Sequence, residues 1–207
     1  KGIRPGDVKY YDKNADGIIN SEDRVISGTP FPKIFGSFSN NFSYRGFDLS
    51  IDLQYSLGAK LYAAWKANGT GAGKQGGHAN GYGILREEWE NRWTESNPYG
   101  NAPRAVANGA AYENNITNYT TRYLENADYL KVRNISLGYT LPTSVVKQLG
   151  ISRLRFYATV HNLYTFTSYD GFDPEVTLFP NRTTYRGSDS GSVPQLRSLV
   201  FGFNLTF

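Results

Sequence analysis

The chain has 207 residues, enough for one domain with a sizeable core. It has no Cys, which excludes a disulfide framework, thiolate metal sites and a Cys nucleophile. Two His, His78 and His161, lie too far apart in sequence for a His-rich metal centre, and a net charge of +4 with only 19% charged residues is too dilute to argue for nucleic acid.

Mean hydropathy is -0.50, the average of a soluble protein, yet 15% of residues are aromatic, with 16 Tyr and 12 Phe. No run approaches the roughly 18 apolar residues of a transmembrane helix. A membrane β-barrel has no such run, because its strands alternate lipid-facing apolar with lumen-facing polar residues. Met is absent and the chain begins at Lys1, as expected of a processed chain or a piece of a longer one.

The first chemical feature is Asp12-Lys-Asn14-Ala-Asp16-Gly17-Ile18-Ile-Asn20-Ser-Glu-Asp23, which has the spacing of a calcium loop with one change. Asp12, Asn14 and Asp16 supply oxygens at alternate positions, and Gly17 permits the sharp turn. Ile18 offers its carbonyl, Asn20 binds directly or through water, and Asp23 replaces the usual Glu. Ca2+ takes about six to eight oxygens; the shorter Asp23 also allows Mg2+ or weak binding. An Asx-rich turn without an ion has the same composition.

Alternation begins at Ile34, with Phe38, Phe42 and Tyr44 on one face and Ser37, Ser39, Asn41 and Ser43 on the other. After a tight turn at Arg45-Gly46 it becomes strict. Phe47, Leu49, Ile51, Leu53, Tyr55 and Leu57 oppose Asp48, Ser50, Asp52, Gln54 and Ser56. A period of two excludes helix here.

A long connection, 63–128, follows. It carries Trp65, Tyr82, Trp89 and Trp93 as candidate substrate-stacking rings, and a Gly-rich tract from Gly69 to Gly83. Packing within the loop would use the same rings. Leu85, Trp89 and Trp93 at i, i+4 and i+8 predict a short helix, with Glu87, Glu88 and Glu90 on its solvated face.

Alternation resumes over 134–141 with Ile135, Leu137, Tyr139 and Leu141. A short segment, Pro142 to Gly150, has room for one helical turn. From Arg153 to Asn162, Leu154, Phe156, Ala158 and Val160 then oppose Arg153, Arg155, Tyr157, Thr159 and His161. On a lumenal face those Arg residues are expected to pair with wall or plug carboxylates. The second long loop, 168–196, holds Asp170, Asp173 and Glu175. The last strand alternates Leu199, Phe201, Phe203, Leu205 and Phe207.

Each strand alone also fits a half-buried strand of a soluble sandwich. The connections separate the two architectures. Short and long ones alternate, so in an antiparallel sheet all short turns fall at one end and all long loops at the other. Outer-membrane barrels have that asymmetry.

Several stretches resemble the C-terminal part of SusC/RagA-type TonB-dependent transporters of Bacteroidetes. They include Pro5-Gly-Asp-Val-Lys-Tyr-Tyr-Asp12, Asp16-Gly-Ile-Ile-Asn-Ser-Glu-Asp-Arg24 and Gly28-Thr-Pro-Phe-Pro32. Phe35 to Ser50, Tyr129-Leu-Lys-Val-Arg-Asn-Ile-Ser-Leu-Gly-Tyr139, Val160-His-Asn-Leu-Tyr-Thr-Phe166 and the terminal Leu199 to Phe207 continue the match. The resemblance implies an all-β fold, an antiparallel transmembrane β-barrel segment with long extracellular loops. About five strands of a roughly 22-stranded barrel would be present. Residues 1–33 would be an extracellular loop with the calcium-type motif, and 34–207 the barrel strands with loops 63–128 and 168–196.

It also implies import of glycan oligomers or peptides across the bacterial outer membrane. The partners would be a SusD-like surface lipoprotein, outer-membrane lipid and the rest of the barrel and plug. The TonB complex would act through the missing N-terminal part, and no nucleic acid is involved. The alternative from the residues alone is a secreted calcium-bound β-sandwich carbohydrate-binding module. No GxSxG elbow, P-loop or HExxH motif occurs, so no enzyme is expected. Sequons such as Asn115-Ile-Thr117 and Asn134-Ile-Ser136 are frequent here because Asn, Ser and Thr are, and carry no weight.

Overall fold

A computed structural model describes residues 4–69, 84–106, 114–115, 120–176 and 186–207. In chain order its elements are β1 (Ile34–Tyr44), β2 (Phe47–Leu57), β3 (Lys60–Ala63), α1 (Ala64–Gly69), α2 (Arg86–Glu90), β4 (Leu124–Asn126), β5 (Tyr129–Thr140), α3 (Thr143–Val146), β6 (Arg153–Thr167), β7 (Ser188–Asp189) and β8 (Ser198–Thr206). The chain forms two compact units. One comprises Lys1–Gly28, Tyr62–Glu125 and Ser188–Gly191, the other Thr29–Leu61, Asn126–Gly187 and Ser192–Phe207.

The second unit is built on a five-stranded sheet in the order β1-β2-β5-β6-β8, every neighbouring pair antiparallel. The alternation dictates its register. Phe42 faces Leu49, Leu49 faces Leu137, Leu137 faces Ala158 and Ala158 faces Phe201, so the apolar residues of five strands merge into one surface. That surface is open: Phe38, Phe42, Leu137, Phe156, Phe201 and Phe203 are each half or more exposed. A sandwich would bury it against a second sheet. Among the described residues, the buried hydrophobic side chains of this unit, Ala59, Leu61, Ala127, Tyr129, Val146 and Tyr169, lie near the strand ends and connections.

The short connections follow local chemistry. Arg45 (φ 47°) and Gly46 (φ 89°) make the two-residue hairpin with both central residues left-handed, whose twist matches that of the flanking strands. Between β5 and β6, α3 and a 3-10 turn at Lys147–Leu149 end on Gly150 at φ 70°.

β5 starts five residues before the expected Asn134, and β6 ends five residues past the expected Asn162. An irregular register conceals the extra length. Asp52 faces Asn134, which faces His161; one rung on, Leu53 faces Val132, which faces Tyr164. Over that rung β2 advances one residue, β5 two and β6 three. Arg133 is the insertion in β5, a β-bulge. Asn162 and Leu163 fill the gap in β6, where Asn162 is left-handed at φ 51°. The bulge switches the parity of β5. Ile135 and Leu137 face the apolar side at odd positions, but Leu130 and Val132 face it at even ones. Tyr129 and Lys131 therefore join the polar face opposite Ser56 and Gln54.

In the first unit, Tyr62 and Ala63 of β3 run parallel to Ser188 and Asp189 of β7, in a three-stranded sheet ordered β4-β3-β7. The expected helix through Trp93 stops at Glu90. Thr94-Glu-Ser-Asn-Pro-Tyr-Gly100 is turn-forming sequence. There Asn97 and Thr94 bond one another, Trp93 N–H donates to the Ala102 carbonyl (2.8 Å), and Ala102 N–H to that of Asn91 (3.1 Å).

Candidate functional site

The calcium-type loop closes on its own backbone. Asp12 Oδ2 accepts the Gly17 N–H (2.8 Å), Asn14 Oδ1 that of Asp16 (3.2 Å) and Asp16 Oδ1 that of Ile18 (2.7 Å). Asn20 Oδ1 accepts from Glu22 (2.7 Å), and Asp23 from Asn20 (2.7 Å) and Lys13 (2.9 Å). The Asn20 and Lys13 N–H groups hold the Asp23 carboxyl below the usual carboxylate range. Asp12 Oδ1 is buried and accepts no hydrogen bond, an unusual state for a carboxylate oxygen. Among the described residues, no three His, Cys, Asp or Glu side chains are grouped to hold a metal ion.

The loop is one wall of a well-tied unit. Asp7 receives Arg104 Nε (2.6 Å), Asn115 Nδ2 (3.0 Å) and the Arg4 N–H (2.9 Å). Asn115 is buried and accepts the Val8 N–H, so it is a structural side chain within its sequon. Tyr10 donates to the Asn114 carbonyl at 2.6 Å. Sequence reasoning missed this clamp, since its partners lie about a hundred residues apart.

The candidate stacking rings have separate surroundings. Trp65 lies in α1. Trp89, about half exposed, carries the Arg92 guanidinium 3.6 Å from its ring centre. The Trp93 ring lies against Gly6. Tyr82 and all of the Gly-rich tract after Gly69 lie outside the described residues. Glu88, expected on a solvated face, is instead buried and paired with Arg122. Burial of a carboxylate requires such a partner.

In the second unit the polar face of the sheet is a charged lattice. Arg155 of β6 pairs with Asp48 of β2, the wall carboxylate expected for a lumenal Arg. His161 Nδ1 meets Asn134 Oδ1 at 2.6 Å, and Asn134 Nδ2 donates to Asp52 at 3.1 Å. Near the other end of the strands, Lys131 is 1% exposed and pairs with both Asp173 (3.2 Å) and Glu175. Glu175 also accepts from Tyr129 Oη (2.7 Å) and Gln54 Nε2 (3.1 Å). Asp173 and Glu175 were legible as loop acids, but their cationic partner was not. Lys131 sits on the polar face only because the bulge at Arg133 turns it there.

A sheet with one open apolar face and one hydrogen-bonded, charged face is the wall of a transmembrane β-barrel, which needs no long apolar helix. No family model matches the chain. It is 32% identical to TonB-dependent receptor P3 of Formosa agariphila, over 98% of its own length and 19% of that protein's. It is 27% identical to TonB-dependent receptor SusC of Bacteroides thetaiotaomicron, over 99% of its own length and 18% of that protein's. A solved structure of the RagAB peptide importer in its closed-closed state matches 93% of the chain at TM-score 0.70 and 25% identity, using 20% of the matched chain.

Over nearly its whole length the chain is thus similar to one part of the SusC/RagA-type TonB-dependent receptors, proteins of the bacterial outer membrane. It spans 18% to 20% of the length of the curated relatives it matches. Those relatives are receptors and transporters, in agreement with the expectation of no enzyme.

Proposed function

We propose that the whole protein imports an oligomeric nutrient, a glycan oligomer or a peptide, with this chain forming part of the barrel wall and its outer loops. The observation that carries the reading is the five-stranded sheet, apolar and open on one face and ionic on the other. In this reading residues 1–33 and loops 63–128 and 168–196 face the exterior, and the Arg45-Gly46 turn faces the periplasm. A SusD-like lipoprotein caps the outer side, and the TonB complex drives a plug from within. SusC as a relative and RagAB, described as a peptide importer, as a structural neighbour support this. Of the candidate substrate rings Trp65, Trp89, Trp93 and Tyr82, Trp89 has the best support, since half its surface is open. The test is uptake of labelled glycan oligomers and peptides by cells with and without the whole gene, with pull-down of the companion lipoprotein. Equal uptake by both strains for every probe would refute the reading.

We also propose that the Asp12–Asp23 loop takes Ca2+, with Mg2+ the weaker alternative. Oxygens of Asp12, Asn14, Asp16, Asn20 and Asp23 and the Ile18 carbonyl would hold it, and the buried, unpartnered Asp12 Oδ1 supports a cation there. Calorimetry of the whole transporter with CaCl2 should show a binding event that Asp12→Ala and Asp16→Ala abolish. Undiminished binding by both variants would remove the assignment.

A further inference from the structure

Arg133 and Asn162, set at the register irregularities of β5 and β6, both reach out of the sheet to the same region. Arg133 donates to Gln195 Oε1 (2.7 Å) and lies 3.5 Å from Glu175, while Asn162 Nδ2 donates to the Leu196 carbonyl (3.1 Å). Two segments, 167–176 and 194–197, are thereby pinned to the wall.

The first segment is tied again along its length. Thr167 Oγ1 donates to the Asp128 carbonyl (2.7 Å) and accepts the Tyr169 N–H (3.1 Å). Tyr169 is buried with its ring over Gly171. Asp173 accepts the Glu175 N–H (3.0 Å), and both acids hold Lys131. Yet this strap carries Phe172 with 75% of its surface exposed.

Phe172, Asp173, Asn162, Gln195, Arg197 and Lys131 line a cavity of about 320 Å3. Lys131 and Thr165, which face each other on the polar side of β5 and β6, form part of its wall, so it opens on the face that lines a barrel lumen. The charges of Lys131 and Arg133 are matched by Asp173 and Glu175. Among the described residues, the exposed Arg197 guanidinium at the rim has no carboxylate partner.

An aromatic ring held open on a rigid support is a preorganised contact, because little entropy is lost when a ligand covers it. A guanidinium fork beside it matches a carboxylate. We propose that this cavity is a wall site on the transport path that receives a carboxylate-bearing part of the transported oligomer. Arg197 binds the carboxylate and Phe172 covers the adjoining apolar surface. The proposal rests on the import reading above.

The test uses the whole transporter in detergent, titrated by calorimetry with two matched pairs of probes. One pair is an acidic octapeptide and its amidated counterpart; the other is an oligogalacturonide and its methyl ester. One acidic probe should bind, identifying peptide or sugar as the source of the carboxylate. Arg197→Gln should weaken it about tenfold or more, the loss of a hydrogen bond to a charged group. Arg197→Lys should retain part of the affinity, Phe172→Ala should lose several-fold, and the neutral counterparts should bind the parent and Arg197→Gln alike. The proposal is overturned if neither acidic probe binds the parent, if Arg197→Gln stays within twofold of it, or if the neutral probes weaken equally. Binding is read without uptake, so a failure of import is a separate result.

Discussion

Arg155 and Asp48 belong to strands that are not neighbours, and they meet across the backbone of Gly138, Arg155 Nε donating to Asp48 Oδ1 at 2.9 Å. A methyl group at position 138 would lie 2.6 Å from both Arg155 Nε and Asp48 Oδ1. The glycine is thus the floor of a three-strand ionic bridge. Gly138→Ala is expected to destabilise the barrel by about 1–3 kcal/mol through overpacking, lowering the heat-denaturation midpoint of the whole protein. The same change on an Arg155→Ala background should cost less, because the crowding partner is gone. Equal costs on both backgrounds would show that the bridge is not what requires glycine.

Lys131, itself almost fully buried, neutralises two carboxylates. Lys131→Met leaves both acids without their shared cation and is expected to cost about 3–5 kcal/mol. Adding Asp173→Asn and Glu175→Gln should recover much of that loss, because the uncompensated charges go with the cation. The midpoints of the single and triple variants check this; a triple variant no better than Lys131→Met contradicts it.

Because Arg133 is the extra residue of the bulge, β5 keeps its facing whether that position is substituted or deleted. Arg133→Ala keeps the extra residue and should still yield a heat-modifiable barrel in the outer-membrane fraction. Deleting Arg133 would pair β5 with β2 residue for residue and leave Lys131 on the polar face, since Val132 still faces Leu53 and Asn134 still faces Asp52. The deletion should therefore assemble about as well as Arg133→Ala, and a deletion protein absent from the outer-membrane fraction would mean that Arg133 is not the extra residue of β5.

Asp7 gives the first unit a pH dependence. Burial opposes its charge, but hydrogen bonds from Arg104, the Arg4 N–H and Asn115 outweigh that and hold its pKa below the usual carboxylate value. A pKa lower in the folded state than the unfolded value of about 3.9 means that the stabilisation is present above that value. It is lost as pH falls through the folded one. Limited proteolysis of residues 4–28 should therefore accelerate between about pH 5 and pH 3 in the parent. Asp7→Asn should be cleaved quickly at both, and a parent with no acceleration would remove Asp7 as the clamp.

What the sequence determined by itself is the two-faced sheet. Phe47 to Leu57 alternates without interruption and Leu199 to Phe207 does so except at Val200, and alternation belongs to one strand at a time, so it needs no knowledge of neighbours. The sorted short and long connections added the membrane wall, and the ordered motifs added the resemblance to the TonB-dependent receptors. The Asp12–Asp23 pattern was equally local and its turns formed as spaced, though the buried Asp12 Oδ1 appeared only with the loop folded.

Tertiary structure decided the rest. Tyr129-Leu-Lys-Val-Arg133 alternates in the opposite parity to Ile135-Ser-Leu-Gly-Tyr139, and only the register against β2 and β6 shows that a bulge joins them into one strand. Glu88 reads as solvated until Arg122 is folded against it, and Asp7 reads as a loop acid until Arg104 arrives. Bulges and ion pairs of this kind depend on which strands and segments lie side by side. One strand's own pattern carries the hydrophobic face, but the burial of a charge is settled only by its partner.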